Sequence, residues 1–306
     1  MGRGGISRKQ NNAAYGRGRH RITASELMYT PEGMVAHLRS RLVSPSYKPP
    51  LLPAIALDLL TLTRQQGVSV SEVRQLLERD PLLAAKVLQQ SQAALYARGT
   101  PIRSLDDAIS RLGLLTLGDL FLQTVLSTRV FRAKGFDDSM TQLLRHSTLT
   151  AHIARSACRL TSLPDEYAFL CGLLHDVGAA AGILILAEPL AAPNAASPIP
   201  PPSFEELTTS LQEIHEEASG VLAQSWRLNP DVRLVLENHH HFRIGGRAHP
   251  LAAVVCVADW TAASAGAAFG NESKEDDARA AAESLGLSRT NLDSLRAQAE
   301  DVLGLL

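Results

Sequence analysis

With 306 residues, a formal net charge of −1 and 20% charged residues, the chain has material for one large domain or two modest ones. The balance is that of an ordinary soluble globular protein and excludes a highly charged or disordered polymer as a description of the whole. No signal peptide and no membrane-spanning apolar run are read from it, so the expected location is the cytoplasm and no membrane partner is expected. Cys158, Cys171 and Cys256 lie in apolar, helix-like segments without metal-type spacing, which predicts reduced, buried thiols.

Charge is unevenly spread. Between Met1 and Ala24 stand Arg3, Arg8, Lys9, Arg17, Arg19, His20 and Arg21, with no acid and with glycine and asparagine between them. Too little apolar surface is present to offset the entropy of ordering, so residues 1–30 read as a flexible basic tail. Such tails can grip phosphate backbones or an acidic partner. Two glycine–arginine repeats and one tyrosine are thin support for that, and nucleic acid is not an expected partner.

From Pro31 the punctuation is helical. "PEGMVAHLRSRL" predicts a short amphipathic helix, "SPSYKPPLLP" breaks it, and apolar spacings of three and four resume in "AIALDLLTLTRQ". Ser69 with Glu72 forms a capping box, and Asp80 followed by Pro81 opens the next helix. Another helix runs from a Ser104 cap to Gly113, and long apolar-periodic stretches follow at 116–131, 138–161 and 166–186. The Pro-rich stretch 188–203 reads as a surface loop. Ser203 and Glu206 make a further capping box for a helix reaching Trp226, and Asn229-Pro230 opens one running into "ENHHHF". "HPLAAVVCVADWTAASAG" is an apolar helix, "NESKEDDA" a charged link, and "LSRTNLDSLRAQAEDVLGLL" a closing amphipathic helix. No stretch alternates with period two for long, so the expected fold class is all-α.

The stretch "FLCGLLHDVGAAAG" (169–182) is apolar almost throughout, yet it contains His175 and Asp176 side by side. Burying both is costly unless something satisfies them. Eight of the ten histidines fall between 146 and 249, and the candidates are His146, the His175–Asp176 pair, His215, His239–His240 and Asp259. Each lies near a predicted helix end or on an interior face, and a helical bundle can bring such groups to one pocket. Imidazole and carboxylate bind Mn, Fe, Ni, Zn or Mg at neutral pH, and a cation would remove the cost of the buried carboxylate. The alternative is a polar network in which the same residues bond one another. His152, His241 and His249 read as surface or loop histidines, and Trp226 and Trp260 as core or interface anchors.

"GLLHDVG" resembles the HD motif of the HD superfamily of metal-dependent phosphohydrolases. The wider chain, over roughly residues 47–266, is similar to the HDOD domain, the HD-related output domain of bacterial signalling proteins. The likeness runs through "PPLLPAIALDLL", "LLERDPLLAAKVLQQS", "PIRSLDDAISRLGLLTLGDL", "RHSTLTAHIAR", "AFLCGLLHDVG", "IHEEASGVLAQSWRLNPDVRLVLENHH" and "LAAVVCVADW". It implies a helical lobe at 47–136, an HD-like lobe at 137–266, and terminal helices at 275–306 packed on the latter. It also implies His146, His175, Asp176 and Asp259 as a first metal set. His215, His239 and His240 match the extra histidines of the HD-GYP relatives, which cleave cyclic di-GMP.

Two departures stand out. The lysine that follows "HDIG" in those enzymes is Ala179 here, and a glutamate one turn before the first histidine is Gln142. The GYP signature is reduced to "HHHFRIGGRAHPL". With a cation and a carboxylate gone, the resemblance implies a signalling module that acts through protein partners without turnover. The alternative is a metal-dependent phosphohydrolase acting on a nucleotide or cyclic dinucleotide. A divalent transition metal (Mn, Fe, Ni or Zn) is the only cofactor implied.

Overall fold

The structure, a computed structural model, describes Met1 and residues 30–93, 101–188, 202–270 and 272–306. The expectations for the basic tail over residues 2–29 and for the Pro-rich stretch over 189–201 lie outside the described residues.

Helix α1 spans Pro31–Leu42, with Thr30 as its N-cap and proline in its first turn, where the missing N–H does no harm. It packs against the later helices Val177–Ala187 and Phe204–Gln212 rather than its sequence neighbours. Helices α2 (Ala54–Leu62), α3 (Val70–Leu77) and α4 (Pro81–Ser91) follow, the last two opened by the Ser69–Glu72 capping box and the Asp80 cap expected from sequence. α5, Leu105–Arg129, is two helical segments that meet at Gly113, whose non-helical conformation (φ 78°, ψ 163°) ends the first segment as the sequence predicts. α2, α3 and α4 all pack on α5.

Helix α6 (Asp137–Thr161) is the axis of the remainder, flanked by α7 (Ala168–Leu174) and α12 (Pro250–Ala262), with α14 (Arg289–Leu303) along it. Helix α8 (Val177–Ala187) follows α7 after a break at His175–Asp176, and packs on α10 (His215–Ser225). The expected single helix from Ser203 to Trp226 is two, α9 (Phe204–Gln212) and α10, interrupted at Glu213–Ile214. Helix α11 is Pro230–Leu236, and Arg243–Ile244 (β1) pairs antiparallel with Arg247–Ala248 (β2) in a minimal hairpin. α12 continues as a π turn over Ala263–Ala267. The expected charged link is the start of a helix, since its acids Glu275, Asp276 and Asp277 form the first turn of α13 (Glu275–Ser284), where the helix dipole favours them. The fold class is all-α.

Two expectations need correcting, those for membrane-length apolar runs and for His152. Leu105–Arg129, Ala168–Ala187 and Pro250–Ala267 are, by length and composition, long and apolar enough to cross a membrane, contrary to the reading of the bare sequence. In the second, 89% of the apolar window is buried inside the fold, so its apolar surface meets protein. His152 is not a surface histidine: it packs edge-on against Phe169, and burial followed by the charge of Arg155 pushes its pKa down to about 4. His249 caps α12 by accepting the N–H of Ala252 at Nδ1. Trp226 is 2% exposed and donates to the carbonyl of Pro50 at 2.8 Å, whereas Trp260 lines a cavity of about 540 Å³ between α12, α13 and α14. The three thiols are free and buried.

One buried network had no counterpart in the sequence reading. Asp119 of α5 meets Arg64, beyond the end of α2, at 2.8 Å through Oδ1, and Arg155 of α6 through Oδ2. Arg64 also donates to the carbonyl of Glu166, and Arg155 lies over the Phe169 ring at 4.7 Å. The carboxylate thereby ties α5 to α6 and to the turn before α7.

Candidate metal centre

Helix breaks place most of the candidate side chains. A helix end leaves carbonyls without intrahelical partners. His175 follows α7 and turns Nδ1 onto the carbonyl of Gly172 at 2.8 Å. His215 opens α10 and turns Nδ1 onto Leu211 and Gln212, both at 3.1 Å, in the last turn of α9. His239 follows α11 and turns Nδ1 onto Leu236 at 3.1 Å. His146, in mid-helix, reaches the carbonyl of Ala267 at 2.8 Å. A carbonyl only accepts, so each Nδ1 carries the hydrogen and each Nε2 keeps its lone pair when the ring is neutral.

Those Nε2 atoms converge. His146 and His175 have theirs 3.1 Å apart, and His215 has its own 3.2 Å from that of His239 and 2.8 Å from that of His240. Lone pairs at such distances repel unless a proton or cation lies between them. Asp176 sits between the two groups. Its Oδ2 is 3.3 Å from His175 and 3.7 Å from His146, and its Oδ1 is 3.6 Å from both His215 and His239. Asp259 brings Oδ1 to 3.1 Å from His146, and its Oδ2 accepts the N–H of Ser273 at 2.7 Å. All seven residues predicted from sequence are therefore within one cluster, bridged by Asp176.

The cluster fits a cation. Both oxygens of Asp176 and Oδ1 of Asp259 are buried without a hydrogen-bond partner, a costly state for a carboxylate that a metal ion would relieve. His146, His175 and Asp176 form one group of donor atoms able to hold an ion, and His215, His239 and His240 another. Each Nδ1 partner is the outer support that metal-bound histidines need to stay oriented. Protonation equilibria divide the two groups of histidines. Burial opposes charging His175, but Asp176 and Asp259 outweigh it and raise its pKa to about 9. For His239 and His240 burial dominates, lowering them to about 4 and about 3. Asp176 and Asp259 are held below the usual carboxylate range in spite of burial, chiefly by His175 and His146 respectively.

The HDOD domain model matches residues 50–242, well over half of the chain. The chain belongs to the HDOD family. Solved structures agree at the level of fold. An HDOD domain protein from Geobacter sulfurreducens superposes with TM-score 0.64 at 21% identity, covering 89% of this chain and 97% of that one. A candidate phosphohydrolase from Shewanella amazonensis SB2B gives 0.62 at 22% identity, over 88% and 95%. A candidate signal transduction protein from Marinobacter aquaeolei VT8 gives 0.61 at 18%, over 92% of this chain and 68% of that one. No curated protein matches the chain.

In this HDOD domain two close approaches hold the HD turn. Gly172 lets α7 lie against α6, since a methyl there would sit 2.7 Å from Cα of Ala151. Gly178 does the same for α8 and α10, where a methyl would sit 2.0 Å from the carbonyl oxygen of His215. Ser219 accepts the N–H of Gly178 and donates to the carbonyl of His175, both at 2.9 Å. Sequence reasoning passed over Ser219, Ser273 and Glu216; the glycines flanking "LLHDV" were the one available hint. Gly178→Ala is expected to cost about 1–3 kcal/mol by overpacking and to displace His215. A melting temperature within one degree of the parent's would refute that.

Of the two sequence departures, Ala179 is fully buried, and Gln142 donates through Nε2 to the carbonyl of Ala268 at 2.9 Å. Neither position offers a charge to the cluster.

Proposed function

We propose that this HDOD protein is a regulatory module of bacterial signalling, located in the cytoplasm, that acts through protein partners. Its histidine–aspartate cluster would hold divalent transition metal (Mn, Fe, Ni or Zn) as a structural centre rather than a catalytic one. His146, His175, Asp176 and Asp259 would hold one ion, and His215, His239 and His240, with Asp176 shared, a second. Burial is the observation that carries the reading: His146, His175, Asp176, His215, His239 and Asp259 are all 0–1% exposed. Structural metal sites are closed, whereas catalytic ones keep a position open to substrate. An HD-type phosphoryl site also draws on a lysine and a glutamate, and here those positions are Ala179 and Gln142.

A bound metal ion would supply positive charge to offset Asp176 and Asp259, held by side chains of α6, α10, α12 and the turns after α7 and α11. The protein's own part is to hold each imidazole by its Nδ1 so that Nε2 faces inward, and to keep water out. The completeness of the donor set favours a second reading, a metal-dependent phosphohydrolase acting on a nucleotide or cyclic dinucleotide. A direct assay separates the two. Protein loaded with Mn²⁺ or Fe²⁺ and incubated with cyclic di-GMP, mononucleotides and an aryl phosphodiester is expected to show no turnover. Hydrolysis that His175→Ala abolishes would overturn the first reading in favour of the second.

A further inference from the structure

A closed centre needs a way in for its ion, and one ligand differs from the rest in two respects. The His240 side chain is 15% exposed, against 0–1% for the other donors. Its Nδ1 partner is also different. His146, His175, His215 and His239 are each tethered to a backbone carbonyl, which cannot move without disturbing a helix end or the π turn. His240 is tethered to the hydroxyl of Ser273 at 3.0 Å, which turns about a single bond.

Directly outside it stand two further metal-type side chains. Glu216 accepts the N–H of His240 through Oε1 at 3.0 Å, and the same oxygen lies 3.7 Å from Nδ1 of His239. Its other oxygen lies 3.6 Å from Nδ1 of His241. Glu216 is 22% exposed and His241 82%, so exposure rises in steps from His239 through His240 and Glu216 to His241. The consecutive histidines 239–241 thus run from the sealed cluster to solvent, with a carboxylate alongside.

We propose that His240 is a swinging gate ligand, and that Glu216 and His241 form an outer station that receives a divalent cation and passes it inward. The proposal rests on the reading of the inner cluster as a metal centre. A gate lowers the barrier in both directions and leaves the end states alone, so it has a kinetic signature distinct from that of a supporting ligand.

The test follows Mn²⁺ and Zn²⁺ uptake by the metal-stripped full chain, and release to excess chelator, in stopped-flow. Elemental analysis gives the equilibrium content. Glu216→Gln and His241→Ala are expected to slow uptake and release together by the same factor, with content and affinity unchanged. Ser273→Ala, which frees His240, is expected to speed both. Unchanged rates in Glu216→Gln and His241→Ala overturn the gate, as does faster release with lowered content, the mark of an ordinary support. A parent protein that takes up neither metal overturns the metal centre and the gate together, before any variant is compared.

Discussion

Metal ion at a thousandfold excess over its dissociation constant is expected to stabilise the folded chain by about 4 kcal/mol, because it binds the native state alone. At roughly 2 °C per kcal/mol for a chain of this size, the melting temperature rises by about 8 °C. The site exists only when α6, α7, α10, α11 and α12 meet, so an unfolded chain offers scattered histidines of much lower affinity. Asp176→Asn is the decisive variant. Its two unpartnered oxygens face both histidine groups, and an amide in their place removes the shared anionic bridge and turns an N–H₂ toward one of them. The metal-dependent rise should vanish in that variant. Melts recorded by circular dichroism with Mn²⁺ or Zn²⁺, and with chelator, read this directly. A rise of equal size in Asp176→Asn would mean that the ion binds elsewhere.

Asp119→Ala is expected to be the most damaging single change outside that cluster. It leaves the guanidinium groups of Arg64 and Arg155, whose side chains are 6% and 9% exposed, without their shared counter-charge. Breaking a buried pair costs about 3–5 kcal/mol, which is roughly 6–10 °C in melting temperature here. An uncompensated charge, not lost packing, is the stated cause. The triple variant Asp119→Leu, Arg64→Leu, Arg155→Met should therefore recover most of the loss, since apolar groups of similar size can replace a buried ionic cluster. Cutting the exposed Arg159–Asp165 pair with Arg159→Ala should cost under about 1 kcal/mol. A triple variant no more stable than Asp119→Ala would place the cost in packing.

Much of the helical framework was legible in the sequence, because caps are local. Ser69 with Glu72, Asp80 before Pro81 and Ser203 with Glu206 each satisfy orphan N–H groups within three residues, so spacing alone announces them. Where the reading failed, longer-range packing decided. The apolar rhythm ran unbroken from Ser203 to Trp226, yet the helix stops at Glu213–Ile214, where the His215 imidazole binds the freed carbonyls of α9. Gly113 does end its helical segment, but a second segment starts directly beyond it because Leu117, Leu120 and Phe121 are buried there, which local spacing did not announce.

The residue types in the cluster were likewise visible: two adjacent polar groups in an apolar run, and histidines gathered in one half of the chain. What those residues do for one another was not. Asp119 carried no sequence signal, since its two arginines lie 55 positions before it and 36 after. Glu216 looked like one more charge on a helix surface until α10 and the 239–241 turn brought it against His240.

By itself, then, the sequence determined that the chain is helical, where most helices begin, and which side chains are able to bind a cation, all of which depend on contacts a few residues apart. Only the tertiary structure decided that seven of those side chains meet in one cluster, that Asp176 stands between two groups of imidazoles, and that His240 is the most exposed of the seven. Those facts depend on crossings between helices far apart in the chain, where a close approach such as Gly178 against His215 sets positions that no local spacing encodes.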